Sequence, residues 1–557
     1  MSNLSSPRLR AAPQQTPIDR PTNPRVPAQA GTQSQAEQRP EAPVALGSRL
    51  RGSTSETFAR TSWGGRGRSL SPEAAKAAGP RIKSGVTKKV AAARILAAAS
   101  ALALAACATG PDYVRPATTP TAAATFVTTA PATTTAAPAD DWWRLYDDAT
   151  LDRLVADALA ANTDIRVAVA RLARARAALR EVRNDRTPQA SVGASATYNR
   201  FSQVQRQPGV GSETWLIDGG LDVSYEVDLF GRISRNVEAA EGDIGAAAAD
   251  ADAVRVTIVA ETTRAYADAA AAAERLAVAE RIVALLDQSL RVTERRVEVG
   301  MTTPLDATRI AALRDQRRAD VPTLAAERQA ALFRLATLTG RTPQDLPPIA
   351  AQRTATLHLD QPIPIGDGAG LLARRPDVRA AERRLAAATA RIGVATADLY
   401  PRITLGGSIG QTSTGLGNLF GGGPLNWLLG PLLSWNVNQG RARARIAGAE
   451  ADTQAALATF DGTVLTALGE TETALAGYKG AVERRAALAQ ARAAAERAAR
   501  ITRAQRREGQ IDSLSQLDAE RTFADAEAAL ALADAQIARA QIDLFRALGG
   551  GWGSRAG

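Results

Sequence analysis

The sequence predicts a mainly α-helical fold with a membrane β-barrel portion, built from one helix–strand–strand–helix unit used twice and contributing four strands per chain. Three observations predict it. The second half of the chain repeats the first in register, and within each half the apolar period switches from helical to alternating and back. Each half also carries a proline-free helical stretch too long for a globular core.

Composition narrows the function. The 557 residues carry a net charge of +11, which invites a nucleic-acid partner. The distribution removes that partner. Before Cys107 there are 16 basic and 5 acidic residues, and after it 52 of each sign, so the body of the chain is neutral. One Cys excludes an internal disulfide framework. With one His, no phosphate-cradling Gly loop and no metal or nucleophile constellation, neither an enzyme nor a cofactor is expected.

Residues 1–85 are rich in Pro, Gln, Arg, Ser and Gly without an apolar period, and are expected to be a disordered extension. Lys88 and Lys89 then open a signal-like segment over 86–106, with an apolar run from Ile95 to Leu104-Ala105-Ala106-Cys107. That run is too short for a spanning helix and suits a secretory h-region. The ending resembles a bacterial lipobox, with Cys107 as the lipidated residue; the alternative is a buried Cys in an Ala-rich helix. Since a signal normally begins a chain, residues 1–85 read as a start-site misassignment, with Val86 as the start.

A lipid-anchored segment over 107–146 leads into repeat 1 (147–341), a linker (342–365) and repeat 2 (366–550). Asp164 and Pro188 recur 213 residues on as Asp377 and Pro401. Glu261, Gly300, Leu305 and Gly340 recur 209 residues on as Glu470, Gly509, Leu514 and Gly549. From about Asp148 to Arg186 the period is helical, and Pro188 ends it. Alternation follows: Val192, Ala194, Ala196 and Tyr198 oppose Ser191 to Asn199, and Leu221 to Leu229 oppose Asp222, Ser224, Glu226 and Asp228. Repeat 2 answers with Ile403, Leu405 and Ile409, then with Leu433, Trp435 and Val437 against Ser434, Asn436 and Asn438. Gly-rich stretches, PGVGS and GLGNLFGGGP, link the strands of each pair.

Helical period returns after Gly231 and Gly440. Arg232 to Val299 holds no proline, which at about 1.5 Å per residue approaches 100 Å. Ile446, Thr453 and Phe460, with Leu457 and Val464, fall on heptad spacings that fit a packed seam. Four strands cannot close a membrane barrel, which needs about eight, and open edges are not tolerated in lipid. Three chains would supply twelve strands around a lumen, with their long helices continuing as a tunnel. Alternation alone leaves a soluble sandwich open.

DWWRLYDDATLDRLVADALAANTDI, SYEVDLFGRI, RRPDVRAAERRLAAATARIGVATADLYPRITLGGSIG, GQIDSLSQLDAERTF and the closing LGGGW resemble the outer-membrane efflux protein family, the trimeric tunnel channels of tripartite pumps, and especially its lipidated NodT-type branch. The resemblance runs from Trp142 to Trp552. It implies a homotrimer with a twelve-stranded barrel in the outer membrane and a long periplasmic tunnel. The tunnel's lower end would be opened by a periplasmic adaptor coupled to an inner-membrane transporter. Val299, Gly300, Met301 and Thr302, before Pro304 and Leu305, resemble the family's Val-Gly-Leu adaptor contact with Met301 in place of Leu. Gly509, Gln510 and Ile511 form the second tip.

Each tip glycine could simply end its helix. Asp512 is the candidate gate, and an N-cap role beside Ser513 is equally open. Glu226, Asp228, Asn436 and Asn438 are candidate lumen-facing strand residues, with pairing to Arg232 or Arg441 the expected role of the carboxylates. Arg374, Arg375, Asp377 and Glu382 read as surface ion pairs of little weight. Trp142 and Trp143 are candidates for an interface, and His358 for a solvated linker position. The competing classes are a periplasmic adaptor, which would need one hairpin between lipoyl-like domains, and a structural coiled-coil lipoprotein, which would need no strands.

Overall fold

The computed structural model describes residues 108–550, apart from 118, 205–210, 360 and 416–424. Cys107, the leader before it and the residues near Trp552 lie outside them. The element order is β1 (Thr133–Thr134), α1 (Ala149–Ala161), α2 (Thr163–Asn184), β2 (Gln189–Arg200), β3 (Glu213–Val227), α3 (Arg232–Glu298), α4 (Pro304–Arg318), α5 (Asp320–Leu338), β4 (Ile363–Pro364), α6 (Gly368–Arg374), α7 (Pro376–Ala397), β5 (Arg402–Ser413), β6 (Leu425–Ser434), α8 (Gly440–Arg507) and α9 (Ser513–Ala547). Thus α2-β2-β3-α3 is answered by α7-β5-β6-α8. The long helices run 67 and 68 residues, roughly 100 Å each.

The helix expected over 148–186 is two helices. Asn162 stops α1 and caps α2, its side-chain oxygen accepting from the N–H groups of Asp164 at 2.8 Å and Ile165 at 3.3 Å. Its amide nitrogen donates to Leu338 O at 2.9 Å, closing the repeat onto its own last helix. Repeat 2 makes the same closure with a different side chain. Arg375, 213 residues on, donates to Ala547 O, 209 residues on from Leu338, at 2.9 Å.

That contact corrects the surface reading of Arg375. The guanidinium is buried, and it bridges Asp377 at 2.6 Å and Glu470 at 2.8 Å. Glu382 is buried as well, and receives Arg115 at 3.2 Å and the Tyr113 hydroxyl at 3.4 Å. Trp142 is likewise no interface residue. It is fully buried, with its ring stacked on Phe545 at 4.7 Å. Together with Tyr146, Leu151, Tyr266, Leu335 and Leu475 it forms the largest core, where the return helices α5 and α9 meet the long ones. His358 is exposed between buried Leu357 and Leu359.

Helix α3 packs against α2 and α7 toward the sheet, and against α4, α5 and α9 away from it; α8 packs on α7 and α9. The two hairpins differ in their return limbs. In repeat 1 the limb breaks at Ala319, and Pro322 sits in the first turn of α5, where its missing N–H costs nothing. Repeat 2 has Ala531 at the matching position, and α9 runs 35 residues unbroken.

Residues 109–134 cross both repeats as a strap. Thr109 N–H donates to Phe230 O at 3.2 Å, and its hydroxyl donates to Gly393 O at 3.3 Å. Gly110, at φ +89°, leaves no room for a side chain, since a Cβ would lie 2.5 Å from Gly393 Cα. Buried Arg235 holds Asp112 at 2.6 Å, and Glu472 accepts from the Val127 N–H at 2.6 Å and the Thr128 N–H at 3.0 Å. The strap ends by pairing β1 in parallel with β4.

Candidate functional site

Two regions carry the candidate residues: the four-stranded sheet and the far ends of the helical hairpins. The sheet is antiparallel in the order β2-β3-β5-β6, so β2 and β6 are open edges. Register puts one row of apolar side chains across all four strands, Val192–Leu221–Ile409–Trp427. Tyr198 beside Trp215, and Tyr225–Leu405–Pro431, extend that face. No layer of the chain covers it: Val192 is 83% exposed, Trp427 72% and Leu429 77%. An apolar face of this size left bare is an interaction surface. The strands, 10 to 15 residues long, exceed the about 9–11 that a tilted strand needs to cross hydrocarbon. Among the described residues no helix is long and apolar enough to cross a membrane.

The opposite face is polar and small. Ser191–Asp222–Ser408, Gly193–Gly220–Gly410–Asn426 and Ser195–Asp218–Thr412 cross it in register. These rows line a concavity of about 410 Å³. Thr412 donates its hydroxyl to Asp218 at 2.7 Å. A Cβ on Gly410 would lie 2.9 Å from Gly219 O, so glycine permits the close strand approach there.

Glu226 shares the polar face, but it is neutralised: Arg232 donates Nε and Nη2 to its carboxylate, each at 2.7 Å. The other three candidate strand residues are corrected. β3 ends at Val227, and Asp228 turns back to cap α3, accepting from Ile233 N–H at 2.9 Å and Ser234 N–H at 2.7 Å. β6 ends at Ser434, so Asn436 and Asn438 lie past the sheet, and Asn438 accepts from Gly440 N–H at 3.2 Å. Helix N-termini present unpaired N–H groups, and these side chains satisfy them instead of continuing the alternation. At the same junction Asp398 receives Arg402 at 2.5 Å and Arg445 at 2.8 Å. Burial raises its pKa, but those two guanidinium bonds outweigh burial and hold the carboxyl below its ordinary range.

At the hairpin ends, Gly300 and Gly509 both adopt φ +72° with open space around the missing Cβ, so backbone conformation alone selects glycine. Met301 N–H donates to Arg296 O and Gln510 N–H to Gln505 O, each at 2.8 Å, closing the helix ends as the glycine-cap alternative expects. The same turns leave apolar side chains in solvent: Val299, Met301, Leu305 and Leu514 are all exposed. The Thr302 hydroxyl donates to Asp306 at 2.5 Å. Asp512 caps α9, accepting from Ser515 N–H at 2.9 Å. Hydrogen bonding from the Ser515 side chain, then from its backbone, holds the carboxyl below the usual range.

Sequence reasoning missed Asp218, the strap and the start of β6. Asp218 shares the alternation of Asp222 and could have been found by extending that pattern backward. No comparable signal marks the strap.

The profile described as outer membrane efflux protein matches residues 154–341 and 370–550, one match for each repeat. Outer membrane protein OprJ of Pseudomonas aeruginosa is 35% identical over 460 residues, covering 81% of this chain and 94% of the relative. The probable outer membrane lipoprotein SilC of Salmonella typhimurium is 28% identical over 419 residues, covering 74% of this chain and 88% of the relative. Among solved structures, the outer-membrane channel OprN superposes with a TM-score of 0.74 at 39% identity, covering 80% of this chain and all of that one.

Proposed function

Because the chain belongs to the outer membrane efflux protein family and is an outer-membrane channel component of an efflux pump, we propose that it works as a homotrimeric conduit whose twelve strands close one barrel. The observation that carries this reading is the bare sheet, with one apolar face, one polar face and two unpaired edges. Lipid tolerates no open edge, and four strands are half of what a membrane barrel requires. Three copies satisfy both demands. The row from Val192 to Trp427 then faces hydrocarbon, and Asp218, Asp222 and Ser408 line the water path. Helices α3 and α8 extend the conduit into the periplasm, and Cys107 anchors the strap in the membrane through lipid.

The exposed turns, Val299, Gly300, Met301 and Thr302 with Gly509, Gln510 and Ile511, receive the periplasmic adaptor that couples the channel to an inner-membrane transporter. Reconstituted in planar bilayers, the protein should conduct and should run as a heat-modifiable trimer from outer-membrane fractions. Recovery as a soluble monomer rejects this reading.

Asp512 serves the second turn as both cap and charge, and three copies near the axis would repel one another. Its depressed pKa keeps it ionised at neutral pH. The stability from its cap is present above the ordinary carboxylate pKa and is lost as pH falls through the depressed value. Asp512→Asn keeps an N-cap while removing the charge, whereas Asp512→Ala removes both. Both variants should raise the open probability in single-channel records. If only Asp512→Ala opens the channel, the effect belongs to the cap and not to the gate charge.

A further inference from the structure

The seam between the two repeats inside one chain is a template for the seam between chains. Helix α7 of repeat 2 packs on α3 of repeat 1, and β5 pairs with β3 across the same seam. Three ion pairs cross it: Arg379–Asp252 at 3.7 Å, Arg384–Asp250 at 2.5 Å and Arg391–Asp243 at 2.6 Å. The repeat counterparts of these elements are α2 and β2 on one flank of the chain, and α8 and β6 on the other. They hold the open sheet edges and wide exposed helix faces.

Shifting the seam by the repeat offsets, 213 for α7 to α2 and 209 for α3 to α8, carries Arg379 onto Arg166 and Asp252 onto Asp461. Both side chains are exposed, and among the described residues neither has an ion pair or side-chain hydrogen bond in its own chain. Their heights agree independently. Asp461 lies 21 residues below Gly440 at the top of α8, and Arg166 lies 21 residues before Thr187 at the foot of β2. At about 1.5 Å per residue both sit roughly 32 Å from the sheet.

Shape fits as well as charge. Inside the chain, a Cβ on Gly242 would meet Ala387 at 2.9 Å and one on Gly245 would meet Arg383 at 3.0 Å, so the two helices touch closely. The outer face of α8 offers Gly448, Ala451 and Gly462, where an added Cβ on either glycine meets nothing within 4 Å. The outer face of α2 offers exposed Ala170, Ala173 and Ala177.

We propose that α2 of one copy docks on α8 of a second copy, with Arg166 paired to Asp461 of the partner subunit and β2 of the first copy extending β6 of the second. The other two ion pairs do not transfer. Thr459 stands at the counterpart of Asp250 and Ala178 at the counterpart of Arg391, so the seam between copies keeps one charge pair of three. This inference rests on the trimeric reading above and adds which flanks meet and what holds them.

The test uses the full chain in detergent. Arg166→Glu and Asp461→Arg should each weaken the trimer, raising its dissociation constant on the order of tenfold, and combining them should restore it. An Ala170→Cys/Gln454→Cys pair gives a second readout that does not depend on charge. At the template positions, the Cβ built on Gly245 and that of Arg383 are 3.5 Å apart, within reach of a disulfide. Oxidation should give covalent dimers and trimers on non-reducing gels. Single reversals that leave an intact trimer unchanged, with no cross-link, overturn the proposal and spare the trimer. A wild-type protein that is monomeric overturns the trimeric reading itself.

Discussion

Arg375→Ala should lower the stability of the folded chain by about 3 kcal/mol, the low end of the cost of breaking a buried ion pair. The guanidinium is buried while its partners are not: the side chains of Asp377 and Glu470 are 39% and 51% exposed. Those carboxylates can rehydrate when the cation is lost, which keeps the cost from reaching the upper end. Ala547 O cannot do so as easily, because it lies inside the repeat's closure on its last helix. Arg375→Lys should recover part of the loss, since an ammonium replaces the charge but cannot span three acceptors in a plane. Thermal unfolding followed by circular dichroism in detergent checks the order wild type, Lys, Ala. An Ala variant as stable as wild type would mean that the node carries no stability.

Leu429→Arg should be the most damaging change on the sheet. Leu429 stands on the apolar face opposite Gly407, and a guanidinium near the bilayer midplane of a barrel costs about 2–4 kcal/mol. Three copies in a trimer multiply that cost. The measurement is the fraction of heat-modifiable protein in outer-membrane fractions, which should fall steeply. Ser408→Arg, on the polar face, is the control. It should leave insertion intact and lower single-channel conductance. Equal insertion of both variants would remove the assignment of faces.

What the sequence disclosed depended on how local each signal was. The duplication, the long helices and the tip turns were legible because Pro, Gly and periodicity act over short stretches. Beginning β6 at Leu433 was an error of pattern. The strand from Leu425 is apolar on both faces, with Leu428 and Leu432 on the polar side, so alternation vanishes. Pro431 argued against a strand as well, yet an edge strand accommodates it. At Asp228, Asn436 and Asn438 the opposite happened. Alternation persisted in the letters after the backbone had turned, because helix capping selects the same polar residues. Trp142 and Arg375 were misplaced for a third reason. Their partners Phe545 and Glu470 lie hundreds or nearly a hundred residues away, and nothing near them in sequence separates a surface from an interior.

The strap carries a consequence for how the chain comes to be made. Thr109 bonds a residue 284 positions later, and the Val127 N–H bonds one 345 positions later. Residues 109–128 are therefore synthesised before every partner that will hold them, and closing loops of this length is slow compared with forming a helix or hairpin. The glycine-lined niche at Gly231 and Gly393 must first be assembled by both repeats. Maturation of the chain thus ends where its synthesis began. The segment next to the anchor acts as a latch, and its engagement reports that both halves have been completed.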